Sequence, residues 1–232
     1  MKAPVLIKLS GELLALNGSF GEHIEKIARQ IAYVAKQIPV AVVIGGGNIF
    51  RGSQHAKLFN IETPTGHTIG MLATTINALL LNDIFKRHEI SPTILTAYDC
   101  SLLSKNVSHD TISASFKKGE CIIFAGGIGT PYVTTDTAAI IRALQCHAQE
   151  VWKITKVDGI YNDDPHKNTN AKRYDQVSYT EAIEKKLRIL DATALNLAQE
   201  NKVRVRVFSM FENDSIMQAY HNPAYGSILT DL

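Results

Sequence analysis

Cysteine is scarce in this chain of 232 residues. Three are present, Cys100, Cys121 and Cys146, and no two of them form a CxxC pair. An odd and widely spaced set argues against a zinc site and against a disulfide framework. Such cysteine usage is typical of a reducing compartment, so we expect a cytoplasmic protein with no metal site built from side chains.

An excess of charge of one sign is also missing. The 24 lysines and arginines nearly balance the 22 aspartates and glutamates, and no run of five basic residues occurs. Nucleic acid is therefore not expected as a partner. No unbroken apolar stretch approaches the roughly 18 residues of a membrane span. The apolar run near the amino terminus is interrupted by Lys8, Ser10 and Glu12, which favours a buried first strand over a signal peptide.

Short runs rich in β-branched residues alternate with amphipathic segments along the chain. Runs that do not alternate with polar residues, such as "AVVI" and "CIIF", predict strands covered on both faces. The sequence thus predicts a three-layer α/β/α sandwich with a mainly parallel central sheet, formed by one domain over residues 1–232. The expected strands are 4–10, 40–45, 93–97, 120–127, 150–155 and 204–210. The expected helices are 23–38, 68–87, 134–145 and 191–201.

Glycine-rich turns follow three of the predicted strands. They read "IKLSGE", "IGGGNIFRG" and "AGGIGTPYVTTD", and each carries polar or cationic residues such as Lys8 and Arg51. In open α/β sheets ligands bind beyond the carboxyl ends of the strands, and glycine lets backbone N–H groups close on an anion. Neither a Walker A loop nor a complete dinucleotide fingerprint is present, because Tyr132 stands where the last glycine would fall. The turns predict a phosphate site of another kind.

Residues 161–179 form the longest polar insertion in the chain. Their sequence, "YNDDPHKNTNAKRYDQVSY", lacks an apolar repeat. Such a segment is either a solvated connection or a functional flap.

Seven motifs in a fixed order resemble the bacterial uridylate kinases of the amino acid kinase superfamily, which convert UMP and ATP to UDP and ADP. The resemblance covers nearly the whole chain. Its motifs are "KLSGE" (8–12), "VVIGGGNIFRG" (42–52), "GMLATTINALLL" (70–81), "TTDTAA" (134–139), "KITKVDGIYNDDP" (153–165), "DATAL" (191–195) and "RVRVFSM" (204–210).

The resemblance implies three groups of site residues. The catalytic centre is assigned to Lys8, Arg51 and Asp191, with Asp191 expected to orient Lys8 or a metal-bound water, or to serve as a plain helix N-cap. The ATP side is assigned to Lys8, Leu9, Ser10, Gly11, Gly47, Arg51, Thr155, Tyr161 and Asp164. The UMP side is assigned to Gly46, His67, Ile128, Gly129, Thr130, Thr134, Thr135 and Asp136.

The acceptor side departs from the family pattern at three positions. His67 stands where the family carries a ribose-binding aspartate, and Ile128 and Thr130 replace a threonine and an asparagine. The departures leave open an ordinary UMP kinase with compensated changes, a paralogue with another acceptor, and a nucleotide-binding protein without UMP kinase activity. If His67 accepts hydrogen bonds from the ribose, UMP binding should weaken as the imidazole gains a proton.

The family also implies ligands and an assembly. ATP is the expected phosphoryl donor, and Mg²⁺ is expected to be held mainly by the nucleotide phosphates. A homohexamer built from dimers is implied, and the apolar helix over 69–81 would suit its interface.

Overall fold

The computed structural model describes residues 2–14 and 20–231. Within them, the chain alternates strands and helices. The strands are β1 (Val5–Leu9), β2 (Val40–Ile44), β3 (Pro92–Thr96), β4 (Lys105–Asn106), β5 (Cys121–Ala125), β6 (Glu150–Thr155), β7 (Ile160–Tyr161), β8 (Arg173–Tyr174), β9 (Gln176–Val177), β10 (Arg204–Ser209) and β11 (Ser227–Leu229). The helices are α1 (Phe20–Ala35), α2 (Gly52–Leu58), α3 (Thr63–Arg87), α4 (His109–Lys117), α5 (Thr135–Gln145), α6 (Tyr179–Glu184), α7 (Ala192–Glu200) and α8 (Ser215–His221).

Nine of these strands form one sheet in the order β4-β3-β5-β2-β1-β6-β10-β11-β9. β10 pairs antiparallel with β11, and the other neighbours in this sheet are parallel. β7 and β8 form a separate antiparallel pair. The sequence prediction of a mainly parallel central sheet is confirmed.

Helices cover both faces of the sheet, so its central strands are buried on both sides. Alternate residues of β1 enter different cores: Ile7 packs with α1 and α3, whereas Leu6 packs with α5 and α7. The period-2 geometry of a strand produces this division. β2 and β5 are buried along their whole length, as their unbroken apolar runs predict. Trp152 is also buried and packs against Phe208.

α3 is longer than its sequence pattern predicts. It begins at Thr63 rather than at residue 68, and Pro64 lies in its first turn, where a missing N–H costs nothing. Its length and composition would suffice for a membrane span. However, nine of its residues, including Leu81 and Phe85, are buried, so it is a core helix of the fold.

The polar insertion contains more regular structure than its composition indicates. β8 and β9 lie inside residues 161–179, and α6 begins at Tyr179. Tyr179 is buried and its hydroxyl donates to the Val203 carbonyl at 2.7 Å. Two-residue strands carry too few positions for a pattern of alternation to appear in the sequence.

Candidate active site

The three glycine-rich turns converge at the carboxyl edge of the sheet, because β5, β2 and β1 are neighbours. The first two turns touch through their backbones: a Cβ atom on Gly11 would lie 2.5 Å from the Gly45 carbonyl oxygen. Thr135, in the third segment, faces the same point, since its Oγ1 would be 3.7 Å from a Cβ on Gly45. Close approach of bare backbone is the arrangement that brings N–H groups together around an anion.

One buried face of α3 holds two of these turns. Asn77 donates from Nδ2 to the Gly45 carbonyl at 2.7 Å and exchanges amide hydrogen bonds with Asn48. The Thr74 hydroxyl accepts the N–H of Gly126 at 2.7 Å. Neither Thr74 nor Asn77 was among the predicted site residues, although both lie in the "GMLATTINALLL" motif. Both are polar residues within an apolar helix. Because buried polar groups need partners, this pattern could have indicated that the two side chains bind another segment.

A largely buried ion-pair cluster lies beside the turns. Lys8 and Lys153 are register neighbours on β1 and β6, and both reach one carboxylate. Lys8 Nζ lies 3.0 Å from Asp136 Oδ1, and Lys153 Nζ lies 2.7 Å from Asp136 Oδ2. Lys153 also donates to the Ile189 carbonyl. The three side chains are between 12% and 17% exposed, so their charges act in a medium less polar than water.

Burial and charge compete in setting the protonation of this cluster. Burial by itself raises the pKa of Asp136, but the positive charges of Lys8 and Lys153 outweigh it and hold the pKa below its ordinary value. Burial lowers the pKa of Lys153, and the Asp136 charge offsets part of that change. With two lysines to one carboxylate, the cluster has a formal excess of positive charge, which suits a phosphate-handling site.

Among the described residues Asp191 forms no ion pair with Lys8, so its role in orienting Lys8 or a metal-bound water stays a prediction. It is the N-cap of α7 and accepts the N–H of Ala194 at 2.9 Å. Its carboxylate also accepts hydrogen bonds from the hydroxyls of Thr134 and Thr137. Asp136 lies beside Lys8 instead. The first turn of α5, which carries Asp136, lies over the paired positions of Lys8 on β1 and Lys153 on β6. The contacts of Asp191 are those of the helix N-cap that the sequence offered as its alternative role.

Lys153 is the cation that the sequence analysis missed. It lies in the "KITKVDGIYNDDP" motif but was not assigned a role. The available signal was a lysine inside a predicted buried strand. A charged residue in such a strand requires a partner.

Arg51 lies at the N-cap position of α2, next to the second turn. Its side chain is exposed and donates to the Gly47 carbonyl and to Gln54, both at 3.4 Å. These long contacts are weak. The Arg51 side chain thus reaches back to the second turn.

The predicted ATP-side residues separate into two places. Thr155, Tyr161 and Asp164 line a cavity of about 540 Å³ that also includes Lys153. Tyr161 donates to Asp158 at 2.7 Å. Ser10 and Gly11 lie at the first turn, but the Leu9 side chain is fully buried in the core, so only its backbone faces this edge. Its carbonyl accepts the N–H of Gly45 at 2.9 Å.

Six of the eight predicted acceptor residues lie along one exposed turn and the start of α5, and Gly46 and His67 lie at α3. Ile128, Gly129 and Thr130 follow Gly127 in this turn, and Thr134 caps α5 by accepting the N–H groups of Asp136 and Thr137. Gly46 packs against α3, where a Cβ would lie 2.8 Å from the Gly70 carbonyl oxygen. His67 is on the first turns of α3, and its Nδ1 accepts the N–H of Tyr132 at 2.7 Å.

Comparison with known proteins decides the family. Residues 3–209 match the model of the amino acid kinase family. The chain belongs to the amino acid kinase family. The uridylate kinase of Vesicomyosocius okutanii is 42% identical over 217 residues, with 92% of this chain and 91% of that protein covered. The uridylate kinase of Rickettsia typhi is 40% identical, with 94% and 91% covered.

Solved structures agree with the sequence comparison. The crystal structure of UMP kinase from Ureaplasma parvum superposes with a TM-score of 0.92 at 33% identity, over all of both chains. UMP kinase from Bacillus anthracis gives a TM-score of 0.93 at 31% identity, over 99% and 96% of the two chains. The predicted resemblance to bacterial uridylate kinases and the predicted fold class are confirmed, and the alternatives of a changed acceptor or a lost activity are not favoured.

Proposed function

We propose that this chain transfers the γ-phosphoryl group of ATP to UMP, giving UDP and ADP, as a step of pyrimidine nucleotide biosynthesis. The observation that best supports this proposal is the Lys8–Asp136–Lys153 cluster. It lies where the glycine-rich turns meet the cavity lined by Thr155, Tyr161 and Asp164. Supporting it, relatives about 40% identical over more than nine tenths of this chain are named uridylate kinases.

The proposed chemistry needs positioning and charge neutralisation more than proton transfer. A phosphate oxygen of UMP forms the new P–O bond, and the bond between the γ-phosphorus and the β–γ bridging oxygen breaks. The acceptor phosphate is already a nucleophile at neutral pH, so no general base is required. Lys8 and Lys153 would neutralise charge on the transferring group, and Arg51 would hold a phosphate by its planar fork.

Mg²⁺ is proposed as a companion of ATP rather than as a resident of a protein site. Among the described residues, no group of three or more histidine, cysteine, aspartate or glutamate side chains converges. Asp136 forms ion pairs with two lysines. Asp191 caps α7 and accepts hydrogen bonds from two threonines. This donor set fits an ion held mainly by nucleotide phosphates and water, whose charge would add to that of the lysines.

We expect Arg51→Lys to impair the kinetics without changing the melting temperature of the ligand-free protein. Lysine keeps the charge but loses the two parallel hydrogen bonds of a guanidinium. The side chain is exposed and lysine keeps its positive charge, so folding should depend little on the substitution. Steady-state kinetics and a thermal melt test this. An equal loss of apo stability would mark Arg51 as a structural residue instead.

The proposal extends to a cytoplasmic homohexamer in which residues 1–232 act as one domain. Leu72 and Ile76 lie one turn apart on α3 and are 49% and 56% exposed. Large apolar side chains spaced by four residues on one helix form the kind of surface that a second copy covers.

We expect Leu72→Asp combined with Ile76→Asp to lower the assembly mass measured by light scattering. The wild type should have about six times the 25.5 kDa chain mass. Ile183→Asp, a change of another exposed apolar residue on α6, is the matched control and should leave the mass unchanged. A wild-type monomer, or a double variant that keeps its full mass, would contradict the proposed interface.

A panel of acceptors tests the proposed reaction. ADP formation from ATP should be measured with UMP, dUMP, CMP and AMP at equal concentrations. We expect the highest kcat/KM with UMP. Faster turnover with CMP or AMP, or no turnover with any of the four, would contradict the assignment.

A further inference from the structure

His67 contacts two segments besides its own helix. A Cβ atom on Gly52, the first residue of α2, would lie 2.8 Å from the His67 Cδ2 atom and 3.0 Å from the Gly66 carbonyl oxygen. A Cβ on Gly66 would in turn lie 2.7 Å from the Gly52 carbonyl oxygen. The imidazole thus lies directly against the backbone that follows Arg51.

The second contact reaches the turn that precedes α5. The N–H of Tyr132 donates to His67 Nδ1 at 2.7 Å, and the two rings meet edge to face with centroids 4.9 Å apart. Tyr132 has a φ of +69°, in the left-handed region. An aromatic residue in this region is strained, and the surrounding structure must hold it there.

The acceptor atom of a neutral His67 ring is identified by this hydrogen bond. Neutral imidazole has one acceptor nitrogen, and the Tyr132 N–H occupies it. The proton is therefore on Nε2, and the ring can only donate to a ligand. In this conformation His67 cannot accept hydrogen bonds from ribose hydroxyls. The geometry therefore does not support the expected role of His67 in accepting hydrogen bonds from the ribose.

We propose that His67 is a positioning residue that fastens the turn formed by residues 126–134 to the junction of α2 and α3. The fastening fixes the distance between Arg51, which lies beside Gly52, and the acceptor residues Thr130 and Thr134. The inference rests on the proposed function only in taking this turn as the UMP-binding segment.

An imidazolium ring has no acceptor nitrogen, so a charged His67 could not accept the Tyr132 N–H. The ionisable groups on the elements packed against His67 are Arg51, His55 and Lys57 around α2, Glu62 before α3, and Tyr132 in the turn. Among the described residues no carboxylate lies within ion-pair distance of His67. Protonation thus removes the hydrogen bond to Tyr132 without forming a compensating ion pair.

Two variants separate the fastening from other roles of the ring. Asparagine places its Oδ1 near the position of Nδ1 and does not titrate, so His67→Asn should keep the hydrogen bond at every pH. His67→Ala removes it. His109→Asn, at the start of α4 on the opposite edge of the sheet, is the matched control.

At pH 8 we expect His67→Ala to raise the UMP KM about tenfold, equivalent to about 1.4 kcal/mol, with the ATP KM changed less than about twofold. His67→Asn should stay within about threefold of the wild type. From pH 8 to pH 6 the wild-type UMP KM should rise at least about threefold more than that of His67→Asn. Because both proteins bind the same UMP, titration of its phosphate cancels in this comparison. Equal pH profiles, or an unchanged KM in His67→Ala, would overturn the proposal.

Hydrogen exchange tests the fastening without any assay of activity. In the ligand-free protein, the Tyr132 amide should exchange faster in His67→Ala than in the wild type, while His67→Asn and His109→Asn keep the wild-type rate. An unchanged rate in His67→Ala would refute the fastening even if UMP is the substrate. A faster rate in a protein that does not phosphorylate UMP would instead refute the proposed function and leave the fastening intact.

Discussion

Lys8→Ala is expected to lower kcat for UMP phosphorylation by about 10²-fold or more. Removing one preorganised donor aimed at developing charge typically costs about 3 kcal/mol in the transition state. The KM for ATP should change much less, because Lys153 remains beside the cavity that Thr155 and Tyr161 line. Steady-state kinetics with both substrates varied measures the two effects separately.

The matched control for this variant is Lys2→Ala, which removes an exposed lysine just before β1. It should leave both kcat and KM unchanged. Lys8→Ala also frees one oxygen of Asp136, so a thermal melt must accompany the kinetics. A folded Lys8→Ala protein with near-wild-type turnover would remove Lys8 from the mechanism.

Asp136→Asn is expected to lower the free energy of unfolding by about 3 to 5 kcal/mol at pH 7, because it leaves two largely buried lysines without their shared carboxylate. Urea unfolding measures this change. Asp110→Asn, a substitution of an exposed aspartate in the first turn of α4, is the control and should cost far less.

The effect of Asp136→Asn should also depend on pH in a defined direction. The charges of Lys8 and Lys153 hold the pKa of Asp136 below its ordinary value against the opposing effect of burial. A carboxyl with a lower pKa in the folded state stabilises the protein above its unfolded pKa, about 3.9. That contribution is lost as the pH falls through the folded pKa. The difference between wild type and variant should therefore be full at pH 7 and shrink below about pH 4; a difference that grows in acid would contradict the ion-pair account.

The sequence was sufficient to predict that the glycine-rich turns would converge at one edge of the sheet. The unbroken apolar runs of β2 and β5 indicate strands buried on both faces, and parallel strands bring their carboxyl ends to one edge. The glycines after these strands, together with Lys8 and Arg51, therefore point to the edge where the turns converge. The motifs also identified the family that the comparisons show.

Which side chains pair within the site could not be predicted from the sequence. Lys8 and Lys153 are 145 positions apart, and only the β1–β6 register brings them to the same carboxylate. Asp136 and Asp191 both occupy first turns or caps of helices, so local pattern could not decide which one meets Lys8. The contact between His67 and Tyr132 depends on a backbone N–H, for which no residue type gives a signal.

Transfer of label from ATP is the most direct test of the central claim that this chain is a UMP kinase. Purified protein should be mixed with γ-labelled ATP, Mg²⁺ and unlabelled UMP, and the products separated. The account predicts label in the β-phosphate of UDP, formed in equal amount to ADP, and at least about 10²-fold more slowly by Lys8→Ala. Release of the label as inorganic phosphate without labelled UDP, or no consumption of ATP in the presence of UMP, would contradict it.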